Sequence, residues 1–190
     1  AELSRELAEL SNKFSDNVLD ATQHWYKHIT DVDELSGLPE TAIEGARQAA
    51  RQKELDGYVI TLDFPSFFPV MTYCDNRDLR REVYEAFVTR ASDQGPDAGQ
   101  WDNTPVMAEI LKRRHAQAKL LGFDNYAERS LATKMARSSD EVLDFLNQRA
   151  AKSKPQAEKE FAELRAFAKD EYGAEELQAW DIGYYSEKLR

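Results

Sequence analysis

The chain has a single cysteine, Cys74, in 190 residues, so it has no internal disulfide and none of the metal sites built from paired cysteines. Eight glycines and six prolines are too few for a collagen-like or linker-dominated sequence. No stretch approaches the roughly 18 uninterrupted apolar residues of a transmembrane helix, and no basic N-terminus leads into an apolar run of the signal-peptide kind. The expected compartment is the cytoplasm. A cationic surplus is missing too: 25 Lys and Arg stand against 35 Asp and Glu, a formal charge of −10. Binding to a phosphate backbone requires clustered cations that displace counterions, so neither nucleic acid nor an anionic membrane is an expected partner. Nucleophile elbows (G-x-S-x-G), phosphate loops (G-x-x-x-x-G-K) and C-x-x-C pairs do not occur. What the chain does have is 42% hydrophobic and 11% aromatic residues, enough for one domain or two small ones with a real core.

The patterning is mostly helical. From residue 1 to Ile29, Leu3, Leu7, Leu10, Phe14, Val18, Ala21, Trp25 and Ile29 recur at steps of three and four, which predicts one long amphipathic helix. Pro39 and Glu40 open a second helix, to about Lys53. After Gly57 the alternation of Tyr58, Ile60, Leu62 and Phe64 with Val59, Thr61 and Asp63 predicts the one strand. Phe67–Tyr73 is either its hairpin partner or, with Ser66 as N-cap and Pro69 in the first turn, a short helix. Asp75 is the expected cap of a helix to about Ala91, and 92–103, with Gly95, Pro96 and Gly99, reads as a loop and a possible subdivision. Thr104-Pro105 starts a helix that ends before Gly122, and Asp124 caps a short one. Ser138 and Glu141 form a capping box opening a helix with a kink or break expected at Pro155; its periodicity resumes to Gly173, and a last helix starts near Asp181. The fold class is thus mostly α, a bundle of amphipathic helices with one short strand or hairpin near 58–73.

Four sets of residues could carry chemistry. His24 and His28 are four apart on the expected helix, a spacing that reaches one Zn²⁺, but the position after His24 is Trp25 rather than the glutamate that would act as general base, and only His115 remains as a third imidazole. They read as two histidines flanking a packed tryptophan. Cys74 lies near Arg77, Arg80 and Arg81, cations that lower a thiol pKa, yet a lone cysteine among aromatics reads as core. Glu158, Glu160 and Glu163 alternate with Lys159 and Arg165 as a solvated helix face. Trp180, Asp181, Tyr184 and Tyr185 sit at helical spacing and read first as packing and capping.

Specific strings go further than statistics. Tyr58-Val-Ile-Thr-Leu-Asp-Phe-Pro-Ser-Phe-Phe-Pro-Val-Met-Thr-Tyr73, then Arg80 and Arg81 with Tyr84, Ala86, Phe87, Thr89 and Arg90, then Asn103-Thr-Pro-Val-Met with Arg114, Leu120-Leu-Gly-Phe123 and Tyr126-Ala127, and finally Trp180-Asp181-x-x-Tyr184-Tyr185, resemble the thimet oligopeptidase family of zinc metallopeptidases. The run Thr89-Arg-Ala-Ser-Asp-Gln-Gly-Pro96 is most similar to that family's bacterial oligopeptidase A branch. The resemblance covers essentially the whole chain. It implies a largely helical, channelled fold and a zinc enzyme cleaving short cytosolic peptides, whose H-E-x-x-H helix lies C-terminal to the Trp-Asp-x-x-Tyr-Tyr string.

No H-E-x-x-H occurs in these 190 residues, so neither zinc ligand nor general base carries over. Residues 1–190 are therefore expected to be a single non-catalytic helical fragment of a larger peptidase, supplying scaffold and channel wall, with no catalytic, cofactor-binding or metal-binding residue of its own. Zinc is a cofactor of the whole protein, and short peptides are its substrates. Two other functions compete: an independent helical interaction module, disfavoured by helical stripes that run uncapped into both ends, and a small hydrolase using His24 and His28. Self-association, a dimer that strengthens with salt, is expected through Leu3, Leu7 and Leu10, through Tyr184 and Tyr185, or through an unpaired strand at Tyr58–Leu62.

Overall fold

The computed structural model describes residues 2–190. In chain order it contains α1 (Glu2–His24), β1 (Tyr26–Ile29), a 3-10 turn (Val32–Leu35), α2 (Glu40–Gln52), β2 (Tyr58–Thr61), α3 (Phe64–Tyr73), α4 (Arg77–Val88), α5 (Thr104–Leu120), α6 (Tyr126–Leu131), α7 (Ser139–Tyr172) and α8 (Ala179–Leu189). The mostly α class holds, with one two-stranded antiparallel sheet. The chain forms two compact units: residues 2–15 with 103–163, and residues 16–102 with 164–190.

Three expectations need correction. The first helix stops at His24, and Tyr26–Ile29 is a strand whose residues pair Tyr26 with Thr61 and Ile29 with Tyr58. The three-and-four rhythm does continue through Trp25 and Ile29, but β2 buries Val59 and Ile60 and needs a partner for its amides and carbonyls, and that long-range demand outweighs local periodicity. Gly57 permits the approach: its φ is +87°, and a Cβ there would sit 2.5 Å from the Ile29 carbonyl oxygen. It follows that β2 is not unpaired, and that 66–73 is helix rather than hairpin partner. That helix begins earlier than expected, at Phe64, because the Ser66 hydroxyl accepts the Thr61 amide (2.9 Å) instead of capping its own helix. The third correction is at Pro155, where α7 runs unbroken from Ser139 to Tyr172. Every residue from 143 to 163 is exposed, so the carbonyl that proline leaves without a donor faces water, which removes most of the penalty for breaking the ladder.

Caps shift by one residue in two places. Asn76, not Asp75, caps α4 by accepting the Leu79 amide (3.1 Å), and Asn125, not Asp124, caps α6 by accepting the Glu128 amide (3.0 Å). Ser138 does accept the Glu141 amide (3.2 Å), but the Glu141 carboxylate takes the Arg137 amide rather than returning to Ser138.

The larger unit packs Ile29, Leu35, Leu38, Ile60, Leu62, Val70, Leu79 and Val83 into one core, and Leu164, Ala168, Tyr184 and Tyr185 into a second cluster. Both tyrosines are buried, which corrects their expected role as an exposed patch. In the other unit α5 buries Val106, Ile110 and Ala118, and is tied to the start of α1 by Arg113 to Glu6 (2.7 Å) and Gln117 to Ser4 (3.1 Å). Leu3, Leu7 and Leu10 are half-buried.

Candidate functional site

The residues on which the sequence singles out chemistry do not converge. His24 ends α1, half-exposed, with its ring 4.9 Å from that of Trp101. His28 is on β1, its Nε2 2.6 Å from the Asp56 carbonyl oxygen. The shared helical face that would make the two histidines a ligand pair does not exist, and Trp25 between them packs partly buried against the core. His115 lies on α5. Among the described residues no group of three His, Cys, Asp or Glu side chains is placed to hold a metal ion. Cys74 is fully buried, its Sγ 3.6 Å from the Glu34 carbonyl oxygen, and burial pushes its thiol pKa up. A buried thiol held protonated is core, not nucleophile. Glu158, Glu160 and Glu163 are exposed along α7, with Glu158 3.7 Å from Lys154.

A polar cluster built into the interior surrounds Asp181, and it lies wholly within the larger unit. Asp181 is the third residue of α8, and its carboxylate accepts the Gln178 amide at 2.9 Å, one half of a helix-start capping box. The side chain is 0% exposed and would be a costly buried anion alone. Two guanidiniums from α4 neutralise it. Arg77 grips both oxygens (Nε at 3.0 and 3.2 Å, Nη2 at 2.7 Å), and Arg80 donates from Nη2 at 2.9 Å. Arg77 and Arg80 are three apart, so the helical repeat puts them on one face of α4, aimed at the first turn of α8. Arg80, 1% exposed, spends its remaining donors on the carbonyl oxygens of Cys74 (2.7 Å) and Trp180 (3.2 Å). It also stacks over the Tyr184 ring, 4.0 Å from the centroid.

Tyr184 extends the network. Its hydroxyl donates to Asp75 at 2.6 Å; the other Asp75 oxygen accepts from Ser36 at 3.1 Å, and Lys188 stands 3.7 Å away. Asp75, expected as a cap, is thereby the link between α8 and the turn after the 3-10 segment. The close approach of α8 to α3 depends on Gly183, where a Cβ would lie 3.3 Å from the Met71 carbonyl oxygen.

The charges in this cluster are satisfied rather than poised. Burial pushes the Asp181 carboxyl upward, but Arg77, the Gln178 amide and Arg80 together outweigh it and hold it below the usual carboxylate range. The Tyr184 hydrogen bond, foremost, keeps Asp75 low as well, with Ser36 and Lys188 adding to it. Burial and the adjacent Asp75 carboxylate raise the Tyr184 phenol above its ordinary value. At neutral pH the cluster therefore holds two carboxylates with their lone pairs engaged and one phenol that keeps its proton. Beside it an open cleft of about 620 Å³ is bordered by Arg77, Tyr172, Glu176, Trp180 and Tyr185.

The Trp-Asp-x-x-Tyr-Tyr string was legible as packing and capping, and it is both. In the sequence Arg80 stands out as a cation near Cys74 and as part of the resemblance; its burial has no local signal, because an arginine on an amphipathic helix ordinarily faces water.

Comparison with known proteins gives these observations a lineage. Residues 70–190, which hold the residues of the Asp181 network apart from Ser36, match the family model described as Peptidase family M3. Over 189 residues, all of this chain, the sequence is 62% identical to oligopeptidase A of Salmonella typhimurium and 60% identical to that of Escherichia coli. Saccharolysin of Saccharomyces cerevisiae is 27% identical over 98% of the chain. The chain spans 28% of the length of the two bacterial relatives and 26% of the yeast one. With a family match over well over half of its residues, the chain belongs to peptidase family M3.

Proposed function

We propose that this chain is a non-catalytic region of an oligopeptidase A-like zinc metalloendopeptidase that hydrolyses short peptides in the cytoplasm. In that protein residues 1–190 supply scaffold and channel wall, and the zinc site is made by other residues. The observation that carries this reading is the pairing of 62% identity over the entire chain with the absence of any H-E-x-x-H from it. The peptide substrate is supported by the name oligopeptidase A carried by the bacterial relatives, and the compartment by a 46% identical Arabidopsis thaliana relative described as a probable cytosolic oligopeptidase A. No helix among the described residues is long and apolar enough to cross a membrane.

Zinc does not fit the residues present. His24, His28 and His115 are on a helix end, a strand and a different helix, and the carboxylates nearest the interior are committed to arginine, tyrosine and serine. No step of peptide hydrolysis is assigned to this chain. The expected result is that protein purified without a histidine tag or metal column, dialysed against zinc and then against buffer, retains far less than one zinc per chain by elemental analysis. One tightly held zinc per chain would overturn the assignment of the metal site to other residues.

A further inference from the structure

Two arginines in the unit of residues 2–15 and 103–163 share one partner, and it is not a carboxylate. Arg114 on α5 lies over the Tyr126 ring at 5.0 Å from the centroid, and Arg129 on α6 at 5.5 Å. Among the described residues neither has a carboxylate within ion-pair distance, although the chain carries 35 of them and Arg113, next along α5, takes both Glu6 and Glu109. The Nε of Arg129 is also buried with no hydrogen-bond partner, alone in this among the buried side-chain nitrogens and oxygens of the described residues. A ring face attracts a guanidinium but offers its N–H groups no oxygen lone pair, so this donor is desolvated without compensation. Arg114 in turn borders a groove of about 400 Å³ lined by Phe14, Met107, Ile110 and Leu111.

We propose that Arg114, Tyr126 and Arg129 form a docking site for a carboxylate borne by an apolar segment of the longer polypeptide, outside residues 1–190. The carboxylate takes N–H groups of the two guanidiniums, and the apolar side chains beside it fill the groove. Charge and geometry select this occupant together, because a carboxylate matches both the sign and the planar fork of a guanidinium. Arginine, methionine and aromatic side chains around an apolar centre are also the composition of an interface between packed protein surfaces. The length of the relatives supplies the segment, since residues 1–190 span only 28% of the bacterial proteins they match. The inference rests on the proposed function solely in taking the chain as part of such a longer protein.

Two forms of the chain test it: residues 1–190 alone, and the same residues replacing the matched stretch of the 60% identical oligopeptidase A of Escherichia coli. The probe is N-acetyl-leucine, an apolar body with one carboxylate, with N-acetyl-leucinamide as its neutral counterpart. In the chain alone the site is open, so the Arg129 Nε–H resonance should move saturably with millimolar acid and stay still with the amide. Arg114→Gln should weaken that response by at least about tenfold. In the hybrid the segment occupies the site, so Arg114→Gln/Arg129→Gln should lower the melting temperature there and leave it unchanged in the chain alone. No saturable shift in the chain alone, or an equal shift with the amide, overturns the site, and this measurement needs no hybrid. A double variant with equal effects in both forms overturns the assigned source and gives the site to a free carboxylate such as a peptide terminus. Peptide hydrolysis by the hybrid reports separately on the proposed function, because neither arginine measurement depends on it.

Discussion

Asp181→Asn is expected to destabilise the larger unit by about 3–5 kcal/mol, the usual cost of removing one partner from a buried charge pair. The loss comes less from the missing attraction than from what stays behind. Arg80 is 1% exposed and has no other carboxylate within ion-pair distance among the described residues, so its charge remains desolvated against carbonyl oxygens and the Tyr184 ring. The new amide makes matters worse: one of its two heavy atoms is a donor, and it meets donors from Arg77, Arg80 or Gln178. Urea unfolding followed by tryptophan fluorescence reads this unit selectively, because Trp25, Trp101 and Trp180 all belong to it. The midpoint should fall with little change in slope. Arg77→Ala, by contrast, removes a half-exposed partner and should cost only about 1 kcal/mol. Equal losses from the two variants, or a loss under about 1 kcal/mol for Asp181→Asn, would show that the buried charge is not the linchpin described above.

Acid should unfold the same unit first. Asp181 and Asp75 both titrate below their ordinary value in the folded chain, so each binds a proton less readily folded than unfolded. Their contribution is complete above the unfolded carboxyl pKa of about 3.9 and is lost as pH falls through the depressed folded values. The melting temperature read by tryptophan fluorescence is therefore expected to hold from neutrality to about pH 5 and to drop steeply below pH 4. In Asp181→Asn the drop should be shallower, since one of the two linked carboxyls is gone, and adding Asp75→Asn should flatten it further. A wild-type slope that survives both substitutions would assign the acid sensitivity to other carboxylates. Asp75 contributes the smaller share, because its side chain is 43% exposed and solvent screens it.

How far the sequence is legible follows from the range of the forces involved. Helix existence is a local matter, and α2, α4, α5, α6 and α8 lie where three-and-four spacing and Pro-Glu, Thr-Pro or Gly signals put them. Tyr26–Ile29 departs from its local periodicity because its fate is decided 29 to 35 residues away, by the need of β2 for a ladder partner. Pro155 was misread because the penalty for a missing donor depends on whether the freed carbonyl reaches water, a tertiary fact. The Asp181 network was half legible. Spacing marked a capped and packed helix start, but nothing local reveals that Arg80 is swallowed whole or that Asp75 forgoes capping to receive Tyr184.

The proposal that these residues build part of a peptidase without performing its chemistry is tested by a peptidase assay on the chain itself. A quenched fluorescent peptide incubated with the purified chain and excess Zn²⁺ should show no turnover above the protein-free control. Asp181 and Asp75 are committed, Tyr184 keeps its proton, and among the described residues no group of three His, Cys, Asp or Glu is placed to hold a metal ion. Turnover that disappears with a chelator, survives further purification and is lost in His24→Ala or His28→Ala would contradict the account and put the active site inside this chain.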